Sequence, residues 1–428
     1  MSESNLELKE ESSFLDVFKN KNFVKLLAGQ TFSNIGDAVF RISIVLYVYG
    51  ITGSATKMTL VLAAQTLPWI LIGPISGVFA DRISRKTIMV ASDLLRAVSI
   101  IAIPFISTMY PLLIIAFLDG VGSSSFAAPR SAAIPEIVGK KLYVKAISIS
   151  RLIFQTFAVM GPLIAAPVYA FFGAPTFWIT SGCYVVSGIF IFFTLIPSAS
   201  REKEPLTVGT IFKDLKEGFV YLFTHRIVKI LILLYTVITI GASFAGPLLY
   251  PWVFEIRHGG DQLLEQLAQT EYGIVGATIA FGTVAGNLIF GKFEKKIGRS
   301  RAIIMGAFSL VIYYFIFQFT TSIYVIGALG LIMGTLNGMM SLSINAYFAE
   351  EVPNEIRGRA YSATNAYLQI FSFTCLSLSG LTADAIGITN TIMSASIVIF
   401  MGVLFLTLRT KMFKFSETTI QTIHTIGD

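Results

Sequence analysis

Twelve apolar segments, each long enough to cross about 30 Å of hydrocarbon as a helix, recur along this chain. They lie near 23–50, 59–80, 87–108, 111–130, 146–171, 176–196, 227–254, 271–291, 302–320, 322–346, 361–385 and 388–409. No other feature constrains the fold as much. Lipid offers a backbone N–H or C=O no partner, so a spanning segment must satisfy its polar groups internally, as a helix does. The charge content agrees: 13% of residues are charged, against about 25% in soluble chains. The predicted class is an all-α polytopic membrane protein, and an even number of crossings returns both termini to one side.

Basic residues set the orientation. The candidate inner connectors hold Lys19, Lys21 and Lys25, then Arg82, Arg85 and Lys86, and further groups around Arg130, Lys140 and Lys141, Lys213 and Lys216, Lys295 and Lys296, Arg357 and Arg359, and Lys411. The outer connectors offer only Lys57 and Arg257. The net charge of +7 therefore orients helices and meets anionic lipid, and a nucleic-acid partner is not expected. Residues 1–22 are charged and lack the apolar core of a cleaved signal peptide, so they read as a cytoplasmic tail, matched by a second at 410–428. Cys183 and Cys375 both lie in apolar runs and imply neither a disulfide framework nor a metal site.

The longest polar break, 197–226, separates a six-helix domain at 23–196 from a second at 227–409. Its later part places Ile211, Phe212, Leu215, Phe219 and Leu222 at helical spacing, which predicts an amphipathic helix along the inner membrane surface. The insert at 255–271 is predicted outside and partly helical. The halves resemble each other, the trace of a transporter built from repeats. Gly77-Val-Phe-Ala-Asp81-Arg82-Ile-Ser-Arg85-Lys86 after span 2 parallels Gly291-Lys-Phe-Glu-Lys295-Lys296-Ile-Gly298-Arg299 after span 8.

Residues 77–86 resemble the loop 2/3 motif of the major facilitator superfamily, with Gly77, Asp81, Arg82, Arg85 and Lys86 matching and Ser84 replacing a glycine. In the second copy Gly291, Gly298 and Arg299 match, but Lys295 replaces the acid, so no acid-centred latch is expected there. TGSATKMTLVLAAQTLPWILIGPISGVFADR and FAAPRSAAIPEIVGKKLYVKAISI are similar to the drug-exporting branch that includes macrolide and enterobactin exporters. The resemblance implies the major facilitator fold, twelve helices in two pseudo-symmetric halves, in a bacterial inner membrane. Gly161-Pro162 is similar to the core of the family's antiporter motif. There Gly161 permits close packing and Pro162 bends the helix; an ordinary kink is the alternative.

Charges inside spans are costly and therefore informative. Asp37 and Arg41 lie one turn apart in NIGDAVFR and are expected to face the cleft or each other, with Asp37 a proton-site candidate and Arg41 its positive neighbour. Asp119 is a second proton candidate. Asp93 and Arg96 are expected to form a conformational latch with the 77–86 loop, and Asp384 to reach outer water. Asn34, Gln65, Gln155, Asn337, Asn345, Asn365 and Gln369 are polar candidates for the transport route. Phe40, Trp69, Phe154, Tyr235, Phe244 and Tyr367 are aromatic candidates for a greasy cavity.

No catalytic triad, zinc cluster, dinucleotide motif or Walker motif is present, so neither an enzyme, a cofactor nor an ATPase is expected. The expected function is a monomeric secondary transporter exporting small amphipathic organic molecules against protons. A lysophospholipid or siderophore transporter, or a non-transporting receptor or scaffold, is the alternative.

Overall fold

The computed structural model describes residues 14–76, 83–196, 208–353 and 356–410. Helices, which account for most of these residues, are named here in chain order. The first half comprises α1 (Lys21–Thr52), α2 (Ala55–Ile75), α3 (Arg85–Phe105), α4 (Met109–Gly139), α5 (Lys141–Phe157 with Met160–Phe172) and α6 (Thr176–Phe192). A linker helix, α7 (Val208–Thr224), leads to the second half. That half comprises α8 (Arg226–Arg257), α9 (Gln262–Ile297), α10 (Arg299–Phe319), α11 (Ile323–Glu351), α12 (Arg357–Ile386) and α13 (Ile388–Leu408).

Among the described residues ten helices are long and apolar enough to span, the bent α5 pair is an eleventh, and α6 is an apolar helix of 17 residues. Each of the twelve sequence segments thus has its helix. The boundaries follow local chemistry. The Asn20 side chain accepts hydrogen bonds from the N–H groups of Asn22 and Phe23 and starts α1, and Ser54 caps α2 through Lys57 N–H. Positive-φ glycines mark sharp boundaries: Gly139 at φ 73° ends α4, while Gly298 at φ 81° and Gly387 at φ 90° are the whole connectors between α9 and α10 and between α12 and α13.

The polypeptide enters at what we term the near end, where α1 begins. The two halves meet chiefly through α2 against α12 and α5 against α9. Towards the far end these contacts are tight. Gly380 lies directly on Ala55, Thr56 and Thr59, and a Cβ on Gly273 would sit 2.5 Å from that of Ala166. Asp384 of α12 accepts hydrogen bonds from Ser54 Oγ (2.8 Å), Ala55 N (3.1 Å) and Thr56 N (3.2 Å), capping a helix of the opposite half. Tyr49 donates to Glu255 at the same end. Asp384 is exposed at this end, as expected, and in addition joins the halves.

The expected linker helix is present at 208–224. It packs against α12: Gly218 lies on the Arg359 backbone, and Arg359 pairs with Asp214 (3.0 Å) and Glu217 (2.7 Å). Two of its acids are thus engaged by the second half, which ties the linker to that half.

Candidate functional site

An arginine within an apolar segment must bring its own partners. Arg96, on α3 and 1% exposed, draws them from three other helices. It forms an ion pair with Asp37 of α1, and its Nε donates to Asp119 of α4 at 3.0 Å. It also donates to the Tyr184 hydroxyl of α6 (2.6 Å) and to Ser33 Oγ (3.3 Å), while the guanidinium lies 3.8 Å from the Tyr184 ring centroid. The Tyr184 hydroxyl in turn donates to Asp37 Oδ1 at 2.9 Å. Asp93, one turn before Arg96, accepts from Ser187 Oγ (2.6 Å) and Ser33 Oγ (3.4 Å) and lies 3.9 Å from Arg96 Nη1. Gln65 of α2 donates to Asp119 at 2.7 Å.

Glycine makes this convergence possible. The Arg96 methylenes occupy the place a Cβ on Gly122 would take, so α4 approaches α3 only because that position has no side chain. One guanidinium then faces three carboxylates. If all were ionised, two negative charges would remain uncompensated, a costly state inside a membrane, so the cluster has room for protons.

The cluster forms one wall of a cavity of about 470 Å3 between the halves. This lies within the roughly 300–1,000 Å3 of small-molecule sites. Asp37 has a third of its side chain exposed there (33%), whereas Asp93 is fully buried behind the wall. Among the sequence candidates, Asn34, Arg41, Gln65, Trp69, Asp119, Phe154 and Gln369 line the cavity. Trp69 is oriented by an indole N–H to Ser123 Oγ hydrogen bond of 3.1 Å.

Other candidates lie elsewhere. Phe40 is buried at the far side of α1, edge-on to Phe177, because its position in the helical period is off the Asn34–Asp37–Arg41 face. Tyr235, Phe244 and Tyr367 pack within the second half; Tyr367 accepts from Thr236 Oγ1 (3.2 Å) and Phe244 carbonyl from Ser379 (2.5 Å). Gln155 and Asn365 are exposed off the cavity, Asn345 bonds back to Ser341 carbonyl (2.8 Å), and Asn337 is half-buried, also outside the lining.

Of the two alternatives for Asp37 and Arg41, it is the cleft that both face. Arg41 makes no ion pair with Asp37; Arg96 holds that acid instead, and Arg41 points into the cavity. Asp93 and Arg96 belong to the central cluster, while residues 77–82 of the loop they were expected to latch lie outside the described residues. Sequence spacing missed Tyr184, Ser33 and Ser187, whose only signal is a polar atom within an apolar run.

Similarity to known proteins follows the same architecture. A family model described as a transmembrane secretion effector of the MFS class matches residues 12–425. The chain belongs to this major facilitator family. It is 26% identical over 396 residues to the uncharacterized MFS-type transporter YfiS of Bacillus subtilis, covering 87% of this chain and 89% of that one. It is 25% identical over 383 residues to macrolide efflux protein A of Streptococcus pyogenes, with 86% and 91% covered. In fold it resembles the nucleoside transporter NupG (TM-score 0.74, 10% identity, 92% of this chain and 99% of that one). A bacterial homologue of the human lysosomal transporter Spinster, in an inward-facing and unoccupied conformation, gives a TM-score of 0.71 at 14% identity, with 93% and 98% covered. The protein is thus a multi-pass membrane transporter of the secondary type, not an enzyme.

The major facilitator loop motifs are partly visible. Gly77, Asp81 and Arg82 lie outside the described residues. Arg85 pairs with Glu136 at the near end of α4 and donates to the Ala132 carbonyl (2.9 Å), and Lys86 sits 4.9 Å from the Phe192 ring centroid. In the second half Gly291 is uncrowded, Gly298 ends α9 at φ 81°, and Arg299 pairs with Glu294 and with Glu350 of α11 (2.5 Å). The second copy thus pairs its arginine with acids other than the one at the motif position, which is Lys295. Glu294, one residue before Lys295, supplies the carboxylate, and Glu350 is the counterpart of Glu136.

Gly161 lies against Ala38, with a Cβ placed there only 2.8 Å from the alanine's, and Pro162 contacts Gly276 of α9. The bend of α5, 41° between Phe157 and Met160, falls at the carbonyl that the missing Pro162 N–H leaves free. The motif thus bends a helix and builds the contact between the halves at once.

Proposed function

We propose that this protein exports a small amphipathic organic molecule in exchange for protons, by alternating access between its two halves. One observation carries the reading: Arg96 is shared by three aspartates, and one of them, Asp37, opens onto the cavity between the halves. The Lys and Arg distribution supports an orientation with the near end towards the cytoplasm of a bacterial cell. On that orientation the far end is outside and shut by the Asp384 cap, so the state described faces inward.

A proton reaching Asp37 from outside weakens its pairing with Arg96 and Tyr184 and frees α1 to shift against α3 and α6. The protonated protein then returns to the inward-facing state, where release of the proton to the cytoplasm restores the pair and readies the cavity to load substrate. Protonation and substrate occupancy compete at one wall, which is what exchange requires. The efflux name of the Streptococcus relative supports the outward direction. The protein acts as a monomer among membrane lipids, with no cofactor.

The test is reconstitution in liposomes under an imposed pH gradient, with amphipathic drugs, siderophores and lysolipids as candidate substrates. Wild type is expected to move at least one class in a gradient-dependent manner. Asp37→Asn is expected to lose at least about tenfold of the driven flux, equal to roughly 1.4 kcal/mol of coupling. Absence of gradient-dependent flux for every compound would sink the proposal.

A further inference from the structure

Once the Arg96 cluster is assembled, the cavity retains hydrogen-bond donors with nothing to donate to. Its lining carries three arginines, Arg41, Arg96 and Arg130, against two aspartates, Asp37 and Asp119. Arg96 is fully engaged, and the buried Asp93 adds a further acid to its cluster. Arg41 and Arg130 make no ion pair or hydrogen bond among the described residues. Asn34, on the same face of α1, presents a buried amide nitrogen that also has no partner. Cations inside spans that pair directly with no acid are costly to keep, so their placement on a ligand surface is informative.

Their depths differ. Arg130 lies eleven residues beyond Asp119 towards the near end, about 16 Å along a helix, and Arg41 four residues beyond Asp37 the other way, about 6 Å. Arg130 thus places positive potential toward the cavity entrance, and Arg41 lies deep, towards the closed far end. The second half adds only neutral groups there, among them Tyr272 and the hydrogen-bonded hydroxyls of Ser243 and Ser372 (2.8 Å). Guanidinium and hydroxyls form a donor-rich pocket with apolar Ile42, Val45 and Leu376 alongside.

We propose that the transported molecule is an amphiphile bearing an anionic headgroup, a carboxylate or a phosphate, and that Arg41 binds that headgroup. This rests on the transporter reading and narrows its substrate class: cationic amphiphiles are excluded from the deep pocket. Asp37, one turn away, serves protons, and Arg41 serves the substrate.

The test is equilibrium binding to the full-length protein in phosphatidylcholine nanodiscs, with empty nanodiscs subtracted. The probes are dansyl-undecanoate and a dansyl-labelled cationic amine of the same chain length. Wild type is expected to bind the anion at least about tenfold more tightly than the cation. Arg41→Gln is expected to abolish that preference, and Arg41→Lys to retain most of it. Displacement of the anionic probe by lysophosphatidylglycerol extends the site to phosphates; lack of displacement restricts it to carboxylates. Equal or tighter binding of the cation overturns the inference, as does unchanged anion binding in a folded Arg41→Gln protein, or no anion binding by wild type. Binding needs no gradient, so anion binding without driven flux would count against the transport reading alone, and driven flux with cation preference against this inference alone.

Discussion

Removing the Arg96 guanidinium leaves three aspartates facing one another across three packed helices. Breaking a buried ion pair from one side costs about 3–5 kcal/mol, because the remaining charge stays unpaired. Arg96→Gln is therefore expected to lower the melting temperature sharply at neutral pH. The deficit should shrink as pH falls, since protonated carboxylates no longer repel; a deficit constant from pH 5 to 8 would refute the charge argument. Gly122→Ala attacks the same cluster without touching a charge. A methyl there collides with the Arg96 side chain, and overpacking of this kind costs about 1–3 kcal/mol, readable in thermal melts. The four charged residues were legible in sequence as costly groups in apolar runs, but their partnership was not. Helical spacing reports neighbours on one helix and suggested Asp37 with Arg41; the true partner of Asp37 comes from α3, and no spacing encodes which helices become adjacent.

At the scale of the element, hydropathy located each span because the bilayer imposes length and polarity on every one alike. Bends and ends are finer. Gly387 parts two helices with no other break in the apolar pattern, whereas Gly139 is followed at once by Lys140 and Lys141. The α5 bend was legible through Pro162, whereas its partner was not: the helix leans on Gly273 and Gly276 of α9, in the other half of the sequence. Pro162→Ala restores a backbone donor and removes a ring from that contact. It is expected to leave thermal stability unchanged or raised while slowing driven flux at least about tenfold, roughly 1.4 kcal/mol on the barrier. Loss of stability and flux in parallel would mean that the bend only serves packing.

For the whole molecule, the balance between its two access states rests on what closes the far end. There Asp384 caps α2 across the gap between halves, and Gly380 seats on Thr59. These bonds exist only while the far end is shut, so their energy biases the population towards the state described. Losing a helix cap costs about 0.5–2 kcal/mol, and the same amount is removed from the closed state by Asp384→Ala. Thr59 is fully buried under Gly380, which makes it a reporter: in a background lacking Cys183 and Cys375, Thr59→Cys reacts with a membrane-impermeant maleimide only when the far end opens. Adding Asp384→Ala is expected to raise the labelling rate about tenfold, the equivalent of ~1.4 kcal/mol. It should leave the Arg96 cluster, near the middle of the bundle, intact. An unchanged rate would place the closing energy in the α5–α9 contact instead, and Pro162→Ala would then be the substitution that opens it.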